Sequence, residues 1–198
     1  GETLDMEVLP QRPPELMAPY FKNELEEWVA NGVTTISTRL KGYEISAYGL
    51  LDRQGELPLR IAYSHEIGRA NPRLERDLRR FGNLEGHGTD LLWMVGISIG
   101  NPDGYGPSPQ LPTDDVWVGE VSCMSVEKRE ILPNDMYPGG MCFWDLPDDP
   151  GRDAASIANR YGYRVAGVHT FGDKSIATAL ESYQEANQES SIKEKRFA

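Results

Sequence analysis

Apolar positions along this chain alternate between two periods, one that suits helices and one that suits strands. From Leu16 to Asn31, the residues Met17, Phe21, Leu25, Trp28 and Val29 recur at helical spacing, and Gly32 stands where a glycine closing a helix belongs. The β-branched run Val33-Thr34-Thr35-Ile36-Ser37 then reads as a strand. A second helix is expected over Tyr43 to Gln54 and a second strand over Leu57 to Tyr63, with Pro58 near its start, where a missing N–H does least harm. Asn71-Pro72 offers a cap and a first-turn proline for a third helix, whose buried stripe is Leu74, Leu78 and Phe81. Leu91 to Ile99 is nearly continuous in apolar residues, as a strand covered on both faces should be. After a long interruption come a helix from Asp153 to Tyr161, a strand ending at His169 and a helix from Asp173 to Asn187. A polar turn follows, and Arg196-Phe197-Ala198 reads as the start of another strand. Strands alternating with helices predict an α/β fold with a parallel sheet.

The interruption, residues 100 to 150, is rich in Gly, Pro and Asp and holds one expected short strand, Val116 to Cys123. A connection of that length in a compact domain is more often a lid or binding loop than a plain link. Tyr105, Trp117, Met124, Met136, Tyr137, Met141, Phe143 and Trp144 are too many large apolar residues for a merely solvated loop. Two readings stand side by side: they pack down on the rim of the sheet, or they wall a substrate pocket.

Composition narrows the class of partner. A chain of 198 residues with 39% hydrophobic and 26% charged residues is expected to form one globular domain. No stretch reaches the ~20 apolar residues of a membrane span, and the first residues lack the basic and apolar regions of a secretory leader. The formal charge of -11 argues against nucleic acid, which needs a basic patch. The two cysteines, Cys123 and Cys142, fit a reducing, cytoplasmic setting as buried thiols, or pair across the loop. The charged residues near the carboxyl terminus, Glu181, Glu185, Glu189, Lys193, Glu194 and Lys195, read as a solvated helix face and turn.

Candidate chemistry gathers at strand ends. His169 closes an apolar run and opens into a helix, which is where barrel enzymes place metal ligands, although one histidine alone reads as a structural residue. His65 and Glu66 follow the second strand, so His65 is a candidate acid or a donor to a substrate carbonyl, with an idle loop residue as the plainer reading. His87, between Gly86 and Gly88, reads as solvated. Asp103, in Asp103-Gly104 beside Pro102, is a candidate substrate contact and, more simply, a turn residue.

Three segments carry a resemblance to a known family. Gly32-Val33-Thr34-Thr35-Ile36-Ser37, Arg53-Gln54-Gly55-Glu56-Leu57-Pro58-Leu59-Arg60 and Val168-His169-Thr170-Phe171-Gly172-Asp173 are similar, in order and spacing, to motifs of the metal-dependent amidohydrolases. The similarity is greatest to the branch holding the N-substituted formamide deformylases, whose versions read like G-V-T-S-V, R-G-E-L-P-L-R and V-H-A-I-G-D. It spans roughly residues 15 to 198. The resemblance implies a (β/α)8 barrel with one or two divalent metals, usually zinc, that activate water for attack on an amide or related carbon. It makes His169 the metal ligand at the end of the fifth barrel strand. Asp173 reads more simply as the cap of the following helix, a place from which it could also fix the loop that carries His169. The expected enzyme is a hydrolase of an amide, formamide or related C–N bond in a small substrate with an apolar or aromatic portion.

The chain departs from that pattern in two places. Leu91 to Gly104 lines up with the family's fourth-strand segment, but Ser98 stands where that segment has a lysine able to carry a bridging carbamate. A serine hydroxyl cannot form it, which leaves a single metal, or a bridge from a carboxylate or from Cys123. The family's first-strand His-x-His pair, sixth-strand histidine and eighth-strand aspartate have no counterparts, since His65 and His87 are too far apart. Residues 1–198 are therefore expected to be one partial barrel domain, about strands two to five, with the long insertion after the fourth. Further polypeptide, in the same chain or a partner subunit, is expected to complete an oligomeric or longer enzyme. The other expectation is a non-catalytic segment that shapes the barrel while the chemistry resides elsewhere.

Overall fold

A computed structural model of the protein describes residues 13–67, 73–82, 84–103, 123, 142–145, 149–170 and 173–198. Its elements, in chain order, are helix α1 (Pro14–Ala30), strand β1 (Thr35–Leu40), α2 (Gly42–Gln54), β2 (Arg60–Glu66), α3 (Leu74–Phe81), β3 (Leu92–Ser98), a 3-10 turn (Phe143–Asp145), α4 (Ala154–Arg160), β4 (Val165–Gly167) and α5 (Asp173–Glu189). The helices and strands expected within the described residues are present, except the strand start expected at Arg196-Phe197-Ala198, where the chain forms a turn and no strand.

The boundaries that moved did so for backbone reasons. Gly32, at φ 87°, closes α1 by donating its N–H to Val29, while the Val33 N–H reaches back to the Trp28 carbonyl. That pair of bonds is a Schellman closure, so Val33 is occupied in ending the helix and β1 starts only at Thr35. β2 starts beyond Pro58 and runs on through His65 and Glu66, because its pairing with β3 continues to Glu66 opposite Ser98. β4 stops at Gly167, two residues before His169. Asp173 is the first residue of α5, one position inside the cap expected of it. Asn71 and Pro72, Val116 to Ser122 and the side chain of Phe81 lie outside the described residues.

The four strands are all parallel and ordered β1-β2-β3-β4, with α2, α3 and α4 as the successive crossovers. The sheet is curled. In a flat sheet β1 and β4 would lie three spacings, about 14 Å, apart. Here a Cβ added at Gly167 of β4 would lie 3.6 Å from Cγ and Cδ of Arg39 on β1 and 3.6 Å from Oγ of Ser64 on β2. Three strands thus converge on one glycine across the concave face, as in part of a barrel.

The convex face is covered by helices. Ile36 and Leu40 of β1, Ile61 of β2 and Leu92 of β3 pack with Ala18 and Leu25 of α1 and Ala47, Tyr48 and Leu51 of α2. Met94, Ile97 and Val165 pack instead with Leu74 and Leu78 of α3, Ala154, Ala155 and Ala158 of α4 and Ala179 and Ala186 of α5. Tyr63 touches both groups and joins them. Of the stripe expected on α1, Leu25 is buried and Met17 and Phe21 pack against the core, whereas Trp28 and Val29 remain exposed.

Of the aromatic and methionine residues between 100 and 150, Phe143 and Trp144 are described, and both are buried in the core beside α4 and α5. Tyr105, Trp117, Met124, Met136, Tyr137 and Met141 lie outside the described residues. Cys123 and Cys142 form a disulfide, which displaces the reading of two free thiols and removes Cys123 as a metal bridge. Among the described residues no helix is long and apolar enough to cross a membrane.

Candidate functional site at the carboxyl ends of the strands

All four strands point their carboxyl ends the same way, so the loops that follow them share one rim. β3 leads into Ile99, Gly100, Asn101, Pro102 and Asp103, and β4 leads into Val168 and His169. The His169 N–H donates to the Gly100 carbonyl at 3.4 Å, which holds the two exits side by side. Ser98, where the resembling family has its lysine, is fully buried and donates its hydroxyl to the Gly167 carbonyl at 2.8 Å. It serves as a brace between β3 and β4.

Asp103 and His169 meet across this join. The Asp103 side chain is 2% exposed, and its Oδ2 accepts from His169 Nδ1. Its Oδ1 takes the hydroxyl of Ser175, in the first turn of α5, at 2.5 Å. Asp103 is thus a carboxylate buried among three elements, while Gly104, the other half of the expected turn, lies outside the described residues. The imidazole is 36% exposed, so one edge of the ring is held by a buried group while the ring itself reaches toward the rim. With the proton on Nδ1, the lone pair of the neutral ring lies on Nε2.

Strand alternation separates the other candidate histidine from this pair. Ile61 and Tyr63 of β2 face the helices, Ser64 faces Gly167 on the concave side, and the next residue, His65, turns back to the helix side. Its partners across the ladder, Leu40 and Ile97, are both buried in the core. Burial accordingly lowers the His65 pKa from its ordinary value. The structure does not bring His65 to His169. Glu66, one residue on, faces the concave side in a row with Ser98 and Gly167. His87 is exposed in a turn, with its N–H on the Leu84 carbonyl.

Three contacts seat the Asp103 loop. The Phe143 N–H donates to the Pro102 carbonyl at 3.0 Å, Asp145 pairs with Lys174 at 2.5 Å, and the Thr178 hydroxyl lies 3.8 Å from the Cys142 sulfur. The short segment 142–145 is therefore wedged between Asp103 and the start of α5. Ser175, Thr178, Ala179, Ser182 and Ala186 form the buried stripe of α5, and their small size lets the helix approach this closely. Sequence reasoning missed Ser175. Its only signal is that stripe, which looks like ordinary packing until Asp103 is found opposite it.

This donor set fits one part of a metal site. A histidine whose Nδ1–H is held by a buried carboxylate is arranged as metal-ligating histidines usually are, with Nε2 left to the ion. Ser175 donates to the carboxylate and not to the imidazole, so the trio is not the serine-histidine-aspartate arrangement that activates a nucleophile. Among the described residues no group of three or more His, Cys, Asp or Glu side chains is placed to hold a metal ion. His169 and Asp103 would be one ligand and its support.

Comparison with known proteins gives a likeness of fold. No protein-family model and no curated protein matches the sequence. Among solved structures, the chain matches the crystal structure of an uncharacterized metal-dependent hydrolase from Pyrococcus horikoshii OT3, with a TM-score of 0.63 and 19% sequence identity. The match covers 94% of this chain and 33% of that one, so the chain spans a third of its structural neighbour.

Proposed function

We propose that this chain forms part of a metal-dependent hydrolase built on a (β/α)8 barrel, with His169 as one metal ligand and Asp103 as the carboxylate that orients it. The observation that carries the reading is the contact of His169 Nδ1 with buried Asp103 at the carboxyl ends of β3 and β4. Catalytic groups of such barrels gather at that rim. The resemblance of Val168 to Asp173 to the amidohydrolase motif supports the same role, and so does the fold shared with a protein described as a metal-dependent hydrolase. The metal, with zinc best suited to an imidazole ligand, would supply Lewis-acid activation of a water for attack on an amide, formamide or related carbon.

The chain's own residues have plainer tasks in this scheme. Asp103 keeps the His169 proton on Nδ1, Ser98 holds the two strands that carry the site in register, and segment 142–145 closes the space beneath the Asp103 loop. The remaining ligands come from further barrel polypeptide, in the same chain or in a partner subunit. Substrate is a small molecule with an apolar or aromatic portion. His65, on the helix-covered face, takes no part.

Metal stoichiometry of the intact assembly tests the reading. Zinc content measured by elemental analysis should fall by one ion per chain in His169→Ala, and Asp103→Asn should weaken zinc by about 10- to 100-fold, the usual cost of losing such a support. Unchanged zinc in both variants would remove the only ligand assigned here. It would favour the second reading, a segment that shapes the barrel without taking part in chemistry.

A further inference from the structure

Asp103 has two carboxylate oxygens, and each meets a different donor: His169 Nδ1 at Oδ2 and the Ser175 hydroxyl at Oδ1. A carboxyl group turns easily about the bond that joins it to Cβ, because that torsion is broad and shallow. A donor on one oxygen alone constrains that torsion weakly. A second donor on the other oxygen fixes its plane, and the plane decides whether Oδ2 meets Nδ1–H in line with the ring. Ser175 is fully buried, and its partner lies 72 residues earlier in the chain, so its hydroxyl is engaged away from its own helix. A serine that only filled space on this stripe could be an alanine, as positions 179 and 186 are.

We infer that Ser175 is a positioning residue, which acts through Asp103 to hold His169 in the tautomer with its proton on Nδ1 and its lone pair on Nε2. The surroundings are built to keep it there. Lys174 is tied to Asp145, Thr178 lies against Cys142, and Phe143 is bonded to Pro102, so the first turns of α5 and the Asp103 loop form one unit. A shift of α5 along its axis would be felt at His169 through Asp103. The consequence for metal affinity rests on the function proposed above; the effect on the tautomer does not.

Nitrogen-15 NMR of the histidine rings in the full protein at neutral pH reads the tautomer directly, and with three histidines in the sequence the signals are assigned by single substitutions. His169 should show the Nδ1–H form in the native protein. In Ser175→Ala the share of the Nε2–H form should rise several-fold, and zinc affinity, measured by competition with a chromogenic chelator, should drop by up to about tenfold. Ser175→Cys, nearly the same size with a weaker donor, should fall between. Ring signals and zinc affinity equal to native in both variants would overturn the inference. So would failure of both to fold, since the hydroxyl would then serve the fold at large. If Asp103→Asn and His169→Ala lower zinc while the Ser175 variants change nothing, the metal reading stands and this one falls. If no zinc binds to any form while Ser175→Ala still shifts the His169 signals, the reverse holds.

Discussion

His65 and His169 stand at the carboxyl ends of β2 and β4, on either side of β3, yet their environments differ. His169 lies past the end of β4, where the chain has left the ladder and a carboxylate from the next loop can catch the ring. His65 is still inside β2, and pairing fixes its side chain on the helix side with Leu40 and Ile97. Because burial lowers its pKa below the ordinary 6.5, the unfolded chain binds the proton better than the folded one. Its contribution to stability is therefore complete above about pH 6.5 and is lost as pH falls toward the folded pKa. His65→Gln should flatten the decline of the urea-unfolding midpoint between about pH 7 and pH 5. A decline as steep as native would show that another group titrates. Both histidines stand out in the sequence; which of them faces a carboxylate depends on where each strand stops, and a pattern of apolar residues places strand ends only to within a few residues.

At the scale of elements, the pairing of β3 with its neighbours depends on a glycine in its interior. Register between β2 and β3 slips by one residue, so Tyr63 faces Met94 and Ser64 faces Gly96, with Val95 as the extra residue. Gly96 has φ 151°, and a Cβ there would lie 2.5 Å from the Arg164 carbonyl oxygen and 2.8 Å from the Ala166 Cβ. Backbone cannot move aside as a side-chain tip can. Gly96→Ala should cost about 2 to 4 kcal/mol of unfolding free energy, measured by urea titration. A loss under about 1 kcal/mol would mean that the approach of β4 to β3 is slack. A second shift, between β3 and β4 at Ile97/Ser98, sets Ser98 opposite Gly167, whose carbonyl takes its hydroxyl. The strand itself was legible as the apolar run Leu91 to Ile99, but the slip was not, because a continuous apolar run carries no record of which residue is left unpaired.

For the molecule as a whole, the curled sheet has β1 and β4 as its outer strands, and among the described residues no strand pairs with the far edge of either. At one edge the Ala198 N–H already donates to the Val165 carbonyl at 3.0 Å, beside β4 and in the place of a next strand. Large apolar side chains are also exposed on two helices: Leu16 (64% exposed) and Tyr20 (72%) on α1, Ile176 (49%) and Leu180 (59%) on α5. Unpaired strands and exposed apolar side chains invite association. The 198-residue chain by itself should sediment at micromolar concentration as a species heavier than one chain. A stable monomer in isolation would mean that the edges are closed by residues of this chain.

The linear order of apolar and β-branched residues by itself determined the helices, the four strands, their parallel α/β arrangement and, to within two residues, the strand end at His169, because these depend on local periodicity and on backbone chemistry close in sequence. Only the tertiary structure decided which face His65 occupies, that Cys123 and Cys142 pair, that Ser98 braces two strands, and that Asp103 is the partner of His169 and Ser175. Asp103 lies 66 residues from His169 and 72 from Ser175. Contacts that distant are made by the curl of the sheet and the seating of α5, and no spacing within the chain encodes them.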